Sequence, residues 1–106
     1  MSVSIKQKKN IMLARIKGEI DHHTVPAIRD EIDDAFACAE SVTELVLDFE
    51  EVTFMDSSGI GLVMGRYKLA ASIGKAISVI NLSERDYRIM KMSGIEKLAK
   101  VSKKGE

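Results

Sequence analysis

Residues 45–62 read Leu45-Val46-Leu47-Asp48-Phe49-Glu50-Glu51-Val52-Thr53-Phe54-Met55-Asp56-Ser57-Ser58-Gly59-Ile60-Gly61-Leu62, and the change of pattern inside them decides the fold. Leu45 to Phe49, continued by Val52 and Phe54, is an apolar extended run suited to a central strand. From Ser57 the apolar residues switch to helical spacing. Ile60, Val63, Met64, Tyr67 and Ala71 share one face, which predicts a helix over 57–72. Two hydroxyls thus stand at a helix N-terminus, where unpaired N–H groups and the helix dipole favour negative charge. Asp56 fits a cap whose carboxylate accepts from the N–H groups of residues 58 and 59. Ser57 is open to three readings: cap, nucleophile or phosphate acceptor.

Outward from this junction the same alternation continues. Residues 4–8 and 11–18 read as strands around a turn at Lys9-Asn10, and the apolar runs of the second suit burial on both faces. A loop over 18–24 ends in Thr24 as N-cap, with Pro26 tolerated in the first turn. Ile28, Ile32, Ala35, Phe36 and Ala39 then mark a helix over 25–39. Gly74 closes the helix that begins at Ser57, residues 76–80 form a strand, Ser83 caps a helix over 83–92, and 98–101 form a last short strand. The pattern predicts an α/β single domain over 1–106. Its mixed, largely parallel sheet has about five strands, with 4–8 as an antiparallel edge. Loops 18–24, 50–57 and 81–83 should gather at one end of that sheet. Gly61 and Gly65 each cost about 1 kcal/mol in a helix, which points to close packing against the sheet. Met55, Met64, Met90 and Met92 read as core fillers.

Composition narrows the function. No apolar run has membrane-span length, and the N-terminus lacks a signal-peptide h-region, so a cytoplasmic protein away from the membrane is expected. Cys38 is the single cysteine, which rules out an internal disulfide or a multi-thiolate zinc site. Sixteen basic and sixteen acidic residues cancel, but residues 19–56 hold twelve acids against Arg29 alone. A zero total with such blocks argues against nucleic acid and suits a charged protein partner. His22-His23 should point apart in an extended loop and lack an i,i+4 partner, so no metal is expected. A nucleophile elbow needs Gly-x-Ser-x-Gly, whereas both serines here precede the glycines and both histidines lie upstream. Gly59-x-Gly61 lacks the third glycine of a phosphate cradle. The residues thus lend little support to a nucleophile or a phosphate cradle, and no cofactor is expected.

Asp56-Ser57-Ser58-Gly59 resembles the phosphorylation segment of the STAS-domain anti-sigma factor antagonists, especially the sporulation members that act on the anti-sigma-F factor. Gly18-Glu19-Ile20-Asp21-His22-His23-Thr24, Gly65-Arg66-Tyr67-Lys68 and Met92-Ser93-Gly94 extend the likeness, in order, over roughly residues 5–101. The resemblance implies a STAS-type fold and a regulatory binding module, not an enzyme. It implies an anti-sigma factor partner that is an ATP-dependent serine kinase, phosphorylation at Ser57, and reversal by a PP2C-type phosphatase. Unphosphorylated protein would bind the kinase and free the sporulation sigma factor. Asp21, His22, Thr24, Asp56, Ser57, Ser58, Gly59 and Ile60 are the expected partner-binding residues. A stress sigma factor pathway is the near alternative, and a small serine-nucleophile enzyme the remote one. The family closes with a C-terminal helix; after 101 only Ser102–Glu106 remains here, so that helix should be short or absent.

Overall fold

A computed structural model describes residues 1–106. The elements are β1 (Ser2–Lys8), β2 (Ile11–Ile20), α1 (Val25–Ala37), β3 (Glu44–Met55), α2 (Ser58–Ser72), β4 (Ala76–Leu82), α3 (Glu84–Met92), a 3-10 turn (Ile95–Lys97) and β5 (Lys100–Lys103). The five strands lie side by side in chain order, with β1 antiparallel to β2 and all later pairs parallel. This is the mixed, largely parallel sheet that the pattern predicts.

Each crossover from β2 to β5 moves one place in the same direction. Right-handed crossovers in one direction put every helix on the same face. The core follows from that. Met12, Ala14 and Ile16 of β2, Leu45, Leu47 and Phe49 of β3, and Ile77 and Val79 of β4 meet Ile28, Ile32 and Phe36 of α1, Leu62 and Val63 of α2, and Met90 of α3 in one cluster. The alternate residues of the strands face the other way. β2 is therefore buried on one face only, correcting the expectation of two: Met12, Ala14 and Ile16 are buried while Ile11 and Arg15 are exposed.

Several boundaries move. α1 stops at Ala37, short of residue 39. β2 runs on to Ile20 and β3 to Met55, so much of the expected loop sequence is strand. The last strand sits at Lys100–Lys103 rather than 98–101, displaced by the 3-10 turn, and no C-terminal helix follows it. β3 holds extra residues against β2: Arg15 pairs with Asp48 but Lys17 with Glu51, and Gly18 with Val52 but Glu19 with Phe54. Gly18 absorbs the second irregularity with a φ of +101°, a region that glycine enters freely. Met92 is 81% exposed and fills no core, unlike fully buried Met55 and Met90.

The glycines of α2 are also reassigned. A Cβ on Gly61 or Gly65 would meet nothing within 4 Å, so neither packs against the sheet. Gly59 does: a Cβ there would overlap Cγ and Sδ of buried Met55. Gly59→Ala is therefore expected to cost about 1–3 kcal/mol through overpacking. Gly61→Ala, on an exposed helix surface, should gain up to about 1 kcal/mol. Urea midpoints of the two variants should move in opposite directions; a shift of the same sign in both would refute the assignment.

Candidate functional site

The parallel pairing of β2 with β3 puts Ile20 opposite Met55. The segments that leave these strands, Asp21–Thr24 and Asp56–Ser58, therefore start side by side, and Asp56 N–H donates to the Ile20 carbonyl at 3.1 Å. The strand ends predicted to share an edge do so.

Asp21 organises the first segment. Its Oδ1 accepts from the N–H groups of His23 at 2.9 Å and Thr24 at 3.0 Å. The Thr24 hydroxyl accepts from Asp21 N–H and donates to the Glu19 carbonyl, both at 3.0 Å. Thr24 stands at the N-cap position of α1 but makes no side-chain cap, because its hydroxyl is spent on the turn. The Thr24 N–H holds the Asp21 carboxyl below the ordinary carboxylate range; burial opposes this, and the His23 N–H and the two imidazoles assist it. His22 and His23 do not point apart. Their exposed rings lie 4.0 Å apart, tilted by 37°, because the segment is a turn and not extended chain.

In the second segment Asp56 Oδ1 accepts from Ser58 N–H at 2.8 Å. Gly59 N–H goes instead to the Asp56 backbone carbonyl at 3.0 Å, so the carboxylate caps one N–H and not the two expected. Ser57 occupies the N-cap position of α2 with helical φ and ψ, and its exposed hydroxyl makes no cap hydrogen bond. Asp56 thus does the capping and leaves the serine hydroxyl free for chemistry. Gly59 is buried on Met55 and Ile60 is half-buried against the core, so both shape the site from beneath.

Sequence reasoning missed two neighbours. Phe54 is 45% exposed, and the Arg85 guanidinium lies 5.8 Å from its ring centroid. Arg85 Nη1 also donates to the Met55 carbonyl at 3.0 Å and meets Asp86 Oδ1 at 3.1 Å. The Asp-Ser-Ser-Gly pattern draws the eye past Phe54, and α3 lies too far along the chain to advertise Arg85. Asp48 is a third omission. Only 1% exposed, it accepts a hydrogen bond from Arg15 Nε at 2.9 Å, pairs with Arg15 Nη2 at the same distance, and accepts one bond each, also at 2.9 Å, from Asn81 Nδ2 and Glu50 N–H. It ties β3 to β4 at the last pair, Asp48 with Ile80, before β3 runs on alone with β2 towards Ser57.

Burial pushes the Asp48 carboxyl up, and the Asn81, Glu50 and Arg15 bonds outweigh it, so the net shift is down. A carboxyl lowered in the folded state contributes stability above its unfolded value of about 3.9. That contribution is lost as pH falls through the folded value. Asp48→Asn is expected to cost about 1–2 kcal/mol at pH 7 and to flatten the loss of stability below pH ~4. Urea midpoints across pH 2–7 test this; a variant curve parallel to the parent curve would overturn it.

The grooves of the molecule lie on the open sheet face, near Leu13 and near Val46, and beside Tyr67 and Leu98. None is lined by Asp21–Thr24 or Asp56–Ile60, so the site is a surface and not a pocket. No three His, Cys, Asp or Glu side chains cluster as metal ligands, and no helix is long and apolar enough to cross a membrane.

The STAS domain family model matches residues 2–105. The chain is 32% identical, over 92% of its length and 83% of the relative's, to an anti-sigma F factor antagonist of Paenibacillus polymyxa. It is 31% identical, over 100% of its length and 94% of the relative's, to the anti-sigma-B factor antagonist of Bacillus subtilis (strain 168). Its fold matches the anti-sigma factor antagonist SpoIIAA in the unphosphorylated form with a TM-score of 0.79 at 29% identity, covering 97% of this chain and 90% of the other. The phosphorylated Bacillus SpoIIAA matches with a TM-score of 0.73 at the same identity, covering 97% and 93%.

Proposed function

We propose that this chain, which belongs to the STAS domain family and is an anti-sigma factor antagonist of the STAS type, works as a partner switch thrown at Ser57. In the unphosphorylated state it binds an anti-sigma factor that is also an ATP-dependent serine kinase, and the sporulation sigma factor is freed. The kinase phosphorylates Ser57, the complex separates, and a PP2C-type phosphatase restores the binding form. One observation carries this reading. The Ser57 hydroxyl is exposed and makes no cap bond at the N-terminus of a 15-residue helix, because Asp56 does the capping.

Asp21, His22, Thr24, Asp56 and Ser58 frame the docking surface around Ser57, and Gly59 and Ile60 support it. The site's open shape favours a protein partner over a small molecule. The phosphorylated form in which SpoIIAA has been solved supports the same chemistry here. A stress-pathway reading draws on the 31% identity to an anti-sigma-B factor antagonist over the whole chain.

Incubation with a sporulation anti-sigma-F factor or with an anti-sigma-B factor, each with ATP, separates these readings. Intact mass should rise by one phosphate with the first partner, mapped to Ser57 and absent from Ser57→Ala. Modification only by the second would move the protein to the stress pathway. Phosphate on Ser58 in place of Ser57 would overturn the assignment of the site.

A further inference from the structure

We propose that Phe54, braced by Arg85, is the apolar anchor on which the anti-sigma factor docks beside Ser57. The inference rests on the partner-switch reading and adds a second half to its surface, contributed by α3. Beyond Asp48, β3 has no β4 neighbour, so residues 49–55 have one strand edge that the sheet does not pair. Arg85 crosses that gap. Its Nη1 takes the Met55 carbonyl at 3.0 Å, and Asp86, itself 6% exposed, holds the same nitrogen at 3.1 Å. The guanidinium carbon then stands 5.8 Å from the Phe54 ring centroid, within cation–π range.

A phenylalanine with 45% of its surface in water is unremarkable alone, since single exposed apolar residues are common. Phe54 differs from the other exposed large side chains in two respects. It lies three positions before Ser57, and an arginine already restricts its ring, on a strand held by the pairing of Phe54 with Glu19. A rigid aromatic loses little freedom when covered, and aromatic and arginine side chains dominate the centres of protein interfaces. The partner it fits is a protein surface with an apolar pocket for the ring, while Arg85 stays engaged with the Met55 carbonyl and Asp86. Phe54 precedes Ser57 by three residues on the same strand-to-helix run, and this continuity selects the anti-sigma factor as the partner. Arg85 is a positioning residue in this scheme and acts through the ring.

The test uses the full unphosphorylated chain and the anti-sigma factor. Phe54→Ala should weaken binding at least tenfold and Arg85→Ala threefold or more. The double variant should lose less than the product of the two, because Arg85 acts through Phe54. Phosphorylation of Ser57 in Phe54→Ala should show a raised KM with kcat unchanged. Oxidative footprinting of Phe54 in the parent protein should show protection on complex formation, which keeps the inference testable should Phe54→Ala fold poorly. Parent binding that is strong, abolished by Ser57→Asp and unaffected by Phe54→Ala would overturn the anchor and leave the switch standing. A parent protein that does not bind would remove both.

Discussion

Ser57→Asp is expected to lower affinity for the anti-sigma factor by about a thousandfold while leaving the melting temperature within a few degrees of the parent. The helix dipole favours a negative charge at the α2 N-terminus by about 0.3–1 kcal/mol. Neighbouring Asp56, whose Oδ1 already holds Ser58 N–H, opposes it at comparable size. The two contributions nearly cancel, so the fold has no reason to move. The interface does not cancel. In the proposed switch, phosphorylation would place about −1.5 to −2 charges on the surface assigned to the partner, and aspartate imitates part of that. A thousandfold loss needs only about 4 kcal/mol, within reach of one desolvated, mispaired charge. Ser57→Ala should bind as the parent does and resist the kinase. Titration calorimetry with thermal melts checks both halves. Undiminished binding by Ser57→Asp would sink the switch, and a large change in melting temperature would show that the fold responds after all.

Asp33→Ala is expected to be the most destabilising of the substitutions considered, at about 3–5 kcal/mol, with no contact to the site. Arg66 Nε lies 2.8 Å from Asp33 Oδ1, with 8% and 29% of the two side chains exposed. The two atoms are not aligned for a hydrogen bond and neither has another partner. Burial lowers the Arg66 pKa against the pull of Asp33, and burial raises that of Asp33 against the pull of Arg66. Arg66 therefore depends on Asp33 for its tolerance, whereas the Asp33 carboxyl keeps part of its surface in water. Removing Asp33 strands a guanidinium between α1 and α2, the helices that begin at the two halves of the site. Out of a typical stability of about 5–15 kcal/mol, this is a large loss. Arg66→Met should cost less, because Asp33 can rehydrate. The double variant Asp33→Leu with Arg66→Met should recover most of the loss or exceed the parent. Denaturant midpoints decide it: additive losses in the double variant would mean that the pair is not coupled.

Arg66 also shows where pattern reading reached its limit. The helix was legible from Ile60, Val63, Met64 and Tyr67, but its buried stripe is centred on Leu62, Val63, Arg66 and Ala70, and Ala71 is exposed. A charged residue reads as solvent-facing unless its partner is known, and Asp33 belongs to another helix. Gly59 failed in the same way. Its value lies in the nearness of Met55, which no periodicity reports. The extension of β3 past Phe49 was half legible: Val52 and Phe54 continue the apolar run, but Glu50, Glu51 and Thr53 read as loop, and pairing with β2 holds them as strand.

The chain by itself determined the order and type of its elements, because hydrophobic period, caps and turn residues act over a few neighbouring positions. It also placed Ser57 at a helix start, a property of Met55-Asp56-Ser57-Ser58-Gly59 and little else. Tertiary structure decided everything that depends on residues far apart meeting. It sent all the helices to one face, moved the close-packed glycine to Gly59, buried Arg66 on Asp33 and Asp48 under Arg15 and Asn81, and laid Arg85 over Phe54 beside the serine. Contacts of that kind are set by strand register and crossover handedness, which local sequence does not encode.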